Sequence, residues 1–288
     1  MTVITKSYVA TSRGALHVRM AGAGTPLVLL QILPFASLMF EPALPLLAAR
    51  GYRAIAFDLM GYGRSDKRDG VWMVEDFAAN VLEGLDVLGV MPEFLVGGHF
   101  TALIGTEIAL RRPQQVKGLV LDGVPVWTRE ERETRKAANP ASPPVLAEDG
   151  AQIQKLWAST LGLIRLVDPD ATLTAASEAR VLDVFIYALE NSYKPGTAEA
   201  FFGYDTDVKL RRLAVPTLIV GSPTDTLRRY HETALAHVPG AQGFLFTHTH
   251  PLYGVTRPVD ATPYVEVLDR FFSRLMHPSG PRSTALNG

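Results

Sequence analysis

The sequence predicts a doubly wound α/β fold, and three observations predict it. Short apolar runs recur at intervals along the 288 residues, as strands buried on both faces of a parallel sheet do. Longer segments with helical spacing and helical stop signals lie between them. The strict alternation of the two builds βαβ units. The expected architecture is therefore a mostly parallel, twisted sheet of about eight strands with helices on both faces and ligand chemistry at the strands' carboxyl ends.

Taken in order, "TVITKSYVAT" and "ALHVRMAG" alternate apolar and polar residues around "SRG", the pattern of an antiparallel hairpin. The parallel strands follow as "PLVLLQI" (26–32), "RAIAFD" (53–58), "EFLVGG" (93–98), "KGLVLDGV" (117–124), "PTLIVGS" (216–222) and "GFLF" (243–246). Helices are expected over "SLMFEPALPLLAARG" (37–51), "MVEDFAANVLEGLDVLG" (73–89), "TALIGTEIALRRP" (101–113, stopped by Pro113), "RRYHETALAHVPG" (228–240) and "VDATPYVEVLDRFFSRLM" (259–276). One stretch breaks the alternation. Between Pro125 and Leu213 come a charged helix, "TREERETRKAA", then "NPASPPV", then helical segments around "IQKLWASTLGLIRLV" and "SEARVLDVFIYALENSY", with no strand signal. The expected organisation is a core domain of residues 1–125 and 214–276, a helical lid of residues 126–213 inserted into it, and a disordered tail at 277–288.

Composition narrows the function. Hydrophobic residues make up 47% and charged residues 20% of the chain, with a formal net charge of -1. Acidic and basic residues are interspersed, so neither a nucleic acid nor an anionic membrane is expected as partner; a small molecule is. The chain has no cysteine, which removes disulfides, thiolate nucleophiles and thiolate metal sites together. No signal peptide or membrane-length apolar run is evident, so a cytoplasmic monomer or homodimer is expected.

Four segments carry chemistry: "FDLMGYGRSDK" (57–67), "FLVGGHFTALIGTEIALRRPQQVKGLVL" (94–121), "TLIVGSPTDT" (217–226) and "THTHP" (247–251). In this order and spacing they resemble the α/β-hydrolase superfamily from about residue 15 to residue 275. The "GYGRSDK" wording is most similar to its epoxide hydrolase, dehalogenase and carbon–carbon hydrolase branches. The resemblance implies an elbow of pattern G-x-nucleophile-x-G, a strained strand-to-helix turn with backbone N–H groups aimed at an oxyanion. Counted back from Pro113, that elbow is Gly97-Gly98-His99-Phe100-Thr101, with His99 at the nucleophile position and Thr101 in place of the last glycine.

The same resemblance places Asp225 at the family's acid, one residue later than the commonest spacing, and His250 at the family's base, with Asp122 an alternative acid position. Asp225 is thus expected to orient His250, and His99, Asp225 and His250 are the catalytic candidates. Where the family carries His-Gly after the first parallel strand, this chain has Gln31-Ile32, so the oxyanion hole is expected to be partly closed or rebuilt with the Gln31 amide. Gln31, Ile32, Phe100, Trp127 and Tyr187 are the candidate oxyanion and substrate-binding residues, and the lid tyrosines Tyr193 and Tyr204 are further hydrogen-bond donors. The "D-x-x-G-x-G-x-S" turn, with Asp58, Arg64, Ser65 and Asp66, is expected to stabilise its own loop.

Each assignment has an ordinary competitor. His248 stands beside His250, Asp225 is a plausible helix N-cap, and His99 fills an elbow that has lost catalysis in a small-molecule binding protein. A metal site built from Asp225, His248, His250 and His99 is disfavoured by the spacing, and no cofactor is expected. The leading expectation is general acid–base chemistry on a small apolar molecule, hydrolysing an ester, lactone, epoxide or carbon–carbon bond. A cofactor-free lyase, isomerase or cyclase, or a non-catalytic binder, is the alternative.

Overall fold

A computed structural model describes residues 2–33, 35–138, 147–168, 171–175, 177–192, 197–252 and 259–277. The strands are β1 (Thr5–Thr11), β2 (Gly14–Ala21), β3 (Thr25–Leu30), β4 (Tyr52–Phe57), β5 (Phe94–Gly98), β6 (Gly118–Asp122), β7 (Thr217–Gly221) and β8 (Gln242–Leu245). They form an eight-stranded sheet in the order β1-β2-β4-β3-β5-β6-β7-β8. The hairpin β1/β2 and the β2/β4 pair are antiparallel, and the remaining pairs are parallel. Every strand expected from the sequence is present.

Buried strands explain the continuous apolar runs. Successive side chains of a strand point to opposite faces. Val28, Leu30, Leu95, Leu119, Leu121 and Ile219 accordingly join one buried cluster, and Leu27, Leu29, Phe94, Val96, Val120 and Leu218 join another. Helices α2 (Val74–Val87) and α3 (Phe100–Arg111) cover the first cluster. On the other face lie α1 (Leu44–Ala49) and the C-terminal helix (Thr262–Met276).

The segment expected as one helix over 37–51 is divided instead. A 3-10 turn at Ser37–Phe40 precedes α1, because Pro42 and Pro45 remove amide donors, and Pro45 is tolerated only in the first turn of α1. Between β6 and β7 the described residues contain only helices: α4 (Arg129–Ala138), α5 (Ala151–Val167), α6 (Glu178–Ser192), α7 (Thr197–Gly203) and α8 (Thr206–Leu210). The short α9 (His231–His237) precedes β8, and the C-terminal helix is α10. The tail expected to be disordered lies, from residue 278 onward, outside the described residues, as does Tyr193.

The loop after β4 is organised by a buried carboxylate. Asp58 is fully buried and accepts hydrogen bonds from the amides of Ser37 at 2.6 Å and Arg64 at 2.9 Å, with His17 Nδ1 at 2.9 Å. Burial alone raises a carboxyl group, but these bonds, His17 foremost, outweigh it and hold Asp58 below the ordinary aspartate range. Ser65 Oγ donates to the Asp58 carbonyl at 2.7 Å and accepts the His17 amide at 2.8 Å. The local role expected for this turn is what its hydrogen bonds perform.

Gly63 is needed here for two reasons. Its φ is +54°, and a Cβ would collide with the Asp58 carboxylate. Gly63→Ala is expected to cost about 2 kcal/mol or more through strain and the disturbed buried carboxylate. At Gly89, where φ is +62° but nothing lies within 4 Å, alanine is expected to cost only about 1 kcal/mol. Urea unfolding of both variants, compared at unchanged m value, checks the difference; equal losses would show that the Asp58 contact carries no weight.

Candidate active site

His99 occupies the turn between β5 and α3 with φ 52° and ψ −116°. Among the described residues only Ala36 and His99 are non-glycines at positive φ. Such a backbone costs about 1–3 kcal/mol and persists only where its surroundings enforce it. The enforcement is visible. The His99 amide donates to the Asp122 carbonyl at 3.0 Å, across paired strand ends where Gly98 stands opposite Asp122. Thr101 Oγ1 accepts the Gly98 amide at 2.9 Å and lies within donating distance of the Leu30 carbonyl at 3.2 Å and the Gly98 carbonyl at 3.0 Å. Thr101, which replaces the family's glycine, braces the elbow with its hydroxyl.

The imidazole meets a carboxylate directly. Asp225, in the loop after β7, accepts the Leu227 amide at 2.8 Å through Oδ1, and the same oxygen lies 3.0 Å from His99 Nε2. The approach is that of an ion pair rather than a straight hydrogen bond. The His99 side chain is 25% exposed and that of Asp225 only 1%, so the pair presents the ring outward and keeps the carboxylate behind it.

Gly123 makes room for this arrangement. At φ +65° it has no side chain where a Cβ would collide with Asp225 Oδ2 and stand 2.8 Å from His99 Cδ2 and 2.9 Å from Nε2. Burial is the largest single influence on His99 and works to lower its pKa. The attraction of Asp225, with the charge of Asp122 added, outweighs it and raises the pKa above 6.5. For Asp225, burial raises the pKa, but His99 and the Leu227 amide together lower it below 3.8.

The expected pairing of Asp225 with His250 is not the one formed. His250 Nε2 lies 2.7 Å from Asp122 Oδ2, and the Tyr264 hydroxyl donates to the same oxygen at 3.1 Å. The Leu252 amide donates to His250 Nδ1 at 3.1 Å, which leaves the proton on Nε2, facing Asp122. The ring is buried between Phe246 and Tyr264, at centroid distances of 5.4 and 5.1 Å, with both nitrogens engaged. The reason lies in strand order: Asp122 ends β6, beside the elbow, whereas Asp225 reaches across Gly123 and is taken by His99. The result is two His–Asp pairs side by side. His248 is exposed.

The substrate-binding candidates fare differently. Phe100 points into the core, edge-on to Phe77 and Phe201 at 5.4 and 5.5 Å, and does not line a site. It opens α3 on the face turned toward α2, which explains the difference. Trp127 packs on Phe201 and Phe202, each at 4.8 Å, with the Arg135 guanidinium 5.2 Å over its ring; its Nε1 is buried without a partner among the described residues. Tyr187 is buried on α6. Tyr204 donates to Glu107 at 3.0 Å, tying α3 to the inserted helices rather than facing a substrate.

Gln31 accepts the Leu59 amide at 3.3 Å, and its Nε2 is buried without a partner among the described residues. Ile32 donates its amide to Met39 Sδ at 3.2 Å, and its side chain fills the space over Gly98. The loop is therefore closed at the point where the family's pattern opens it.

A cavity of about 550 Å³ lies in the inserted helices, lined by Trp157, Leu173, Ser177, Val181 and Leu182 among others. Among the described residues no three His, Asp or Glu side chains are grouped to hold a metal ion, and no helix is long and apolar enough to cross a membrane. Asp122, Gly123, Tyr264 and Met39 are the functional neighbours that sequence reasoning missed or ranked second. The strand-ending "LVLDG" was the signal available for the first two.

Comparison with known proteins identifies the family. The family model described as alpha/beta hydrolase fold matches residues 25–235. A protein of Azorhizobium caulinodans assigned as carbamate hydrolase RutD is 27% identical over 235 residues, 79% of this chain and 84% of the relative. An epoxide hydrolase of Caballeronia sordidicola is 32% identical over 125 residues, 43% of this chain and 38% of that protein. The crystal structure of the esterase RhEst1 from Rhodococcus superposes with a TM-score of 0.68 at 26% identity, covering 94% of this chain and 99% of the esterase. Strand order, family model and relatives agree: the chain belongs to the α/β-hydrolase fold family, as a hydrolase-like enzyme.

Proposed function

We propose that this protein hydrolyses a small apolar ester or carbamate by general acid–base chemistry, with the His99–Asp225 pair as its reacting unit. One observation carries the reading: a strained elbow presents an imidazole whose Nε2 is held by a buried carboxylate 3.0 Å away. Asp225 holds the proton on Nε2, so Nδ1 is the nitrogen left to act. It takes a proton from water, the hydroxide adds to the substrate carbonyl, and the imidazolium returns the proton to the departing alkoxide or amine. The first amides of α3, which have no partner within the helix, face the developing oxyanion. The helices between β6 and β7 form the lid, and the apolar side chains they carry suit a small apolar substrate.

No acyl-enzyme is needed. An acyl-imidazole at His99 would be short-lived, and a water-attack route forms none. His250, with both nitrogens engaged, supports Asp122 rather than acting as base, and this revises the role expected for it.

His99→Ala is expected to lower kcat/KM toward p-nitrophenyl esters or aryl carbamates by about 100- to 10,000-fold, the usual contribution of a positioned base. Unchanged turnover in that variant would sink the reading. The sign of the pH dependence follows from the raised His99. The base form is gained as pH rises, so activity climbs through a midpoint above 6.5. Asp225→Asn removes the attraction that lifts the midpoint and moves the limb to lower pH, with reduced activity at the plateau. A pH–rate profile of both proteins checks this.

A further inference from the structure

The second His–Asp pair has no place in the reaction described so far. Asp122 is 1% exposed, ends the strand that pairs with the elbow strand, and gives its carbonyl to the His99 amide at 3.0 Å. Its Oδ2 is gripped from two further elements, by His250 Nε2 from the loop after β8 at 2.7 Å and by the Tyr264 hydroxyl from α10 at 3.1 Å. Oδ1 has no partner among the described residues. Three pieces of chain thus converge to hold one carboxylate at the root of the elbow. A residue needed only to close the sheet would not require them.

We propose that Asp122 is a positioning residue for His99: its carbonyl pins the elbow amide, and its carboxylate, oriented by His250 and Tyr264, supplies a second negative charge beside the imidazole. The inference rests on the reading of His99 as the reacting group. His99 has Asp225 against its ring from the loop after β7 and Asp122 bonded to its amide from the end of β6. The charge of Asp122 acts in the same direction as that of Asp225, raising His99 against the effect of burial. His250 acts on Asp122 itself, its Nε2 lying 2.7 Å from Oδ2.

The arrangement divides labour between main chain and side chain. Asp122→Asn keeps the carbonyl that pins the elbow and a side chain of the same shape, and removes the charge while exchanging one oxygen for an NH2, with the remaining oxygen able to accept from His250 and Tyr264. Tyr264→Phe keeps the charge and removes one of its two donors. The two variants therefore separate charge from orientation.

The test is the NMR titration of the His99 Hε1 proton in the folded protein, run on wild type, Asp122→Asn, Tyr264→Phe and Asp225→Asn, together with each protein's pH–rate profile. Asp122→Asn is expected to lower the His99 midpoint by about one pH unit, as loss of a neighbouring opposite charge does, with the rate limb moving by the same amount. Tyr264→Phe, which keeps the charge, is expected to shift it less than Asp122→Asn does; an equal or larger shift would show that orientation rather than charge acts on His99 and would overturn the charge role. If the midpoint falls in Asp225→Asn but stays put in Asp122→Asn, the inference is overturned and the reading of His99 as base survives. If the NMR midpoint falls in Asp122→Asn while the rate limb does not follow, Asp122 is the charge partner proposed and His99 is not the reacting group.

Discussion

The hydrogen bond from the His99 amide to the Asp122 carbonyl joins everything else in the site. It is the last rung between β5 and β6, made one residue after regular pairing ends. It fixes the point at which the strand ends and the positive-φ turn at His99 leads into α3. Because Asp122 itself provides the acceptor, the position of the elbow and of the buried carboxylate are one variable. Because Gly123 follows, the space for Asp225 is opened by the same short segment. A parallel sheet concentrates such coincidences at its carboxyl ends, where each strand stops beside its neighbour and loops converge.

Three buried aspartates show how the fold handles charge in three ways. An isolated buried carboxylate is costly, and donors or counter-charges must offset its lost hydration. Asp58 is surrounded by amides and His17, so its charge serves a loop. Asp225 has one amide and one imidazole, and its second oxygen lies over the bare Cα of Gly123 without a hydrogen bond. Asp122 has two side-chain donors on one oxygen and none on the other. The saturated carboxylate follows β4, two strands over from the elbow strand, and the two incompletely satisfied ones adjoin the elbow. Residual demand for positive charge is thus placed where His99 can answer it, an arrangement found where structures tune proton transfer.

Periodicity made the fold legible, because strand burial on both faces writes itself as uninterrupted Val, Leu and Ile, and Pro113 dated the elbow correctly against His99. Where side chains reach across space, the sequence was silent. The order of residues along the chain names Asp225 and His250 as partners in the family's pattern, but the pairing is decided by which strand ends are neighbours and by the one residue of extra loop before Asp225. Phe100 could not be told from a pocket wall, since an aromatic after the elbow is apolar in either role. Pro42 and Pro45 were readable as helix breakers, yet the helical spacing around them is strong enough to mask the break until the amides are counted.

Histidine at the elbow changes what the neighbouring groups must do. A serine there needs a separate imidazole to accept its proton and a carboxylate to orient that imidazole, so three side chains must be in line. On the reading proposed for His99, an imidazole already at the elbow needs only the carboxylate, and the third position is released from catalysis. His250 occupies that released position, turned so that Nε2 faces Asp122 and its other nitrogen accepts a backbone amide. A free base would have to keep one nitrogen open to the substrate, whereas a support for a buried charge gains from engaging both. On the reading proposed for His99, no alkoxide has to be generated and no acyl-enzyme stabilised, so the engaged ring and the second carboxylate serve the pH at which one imidazole works.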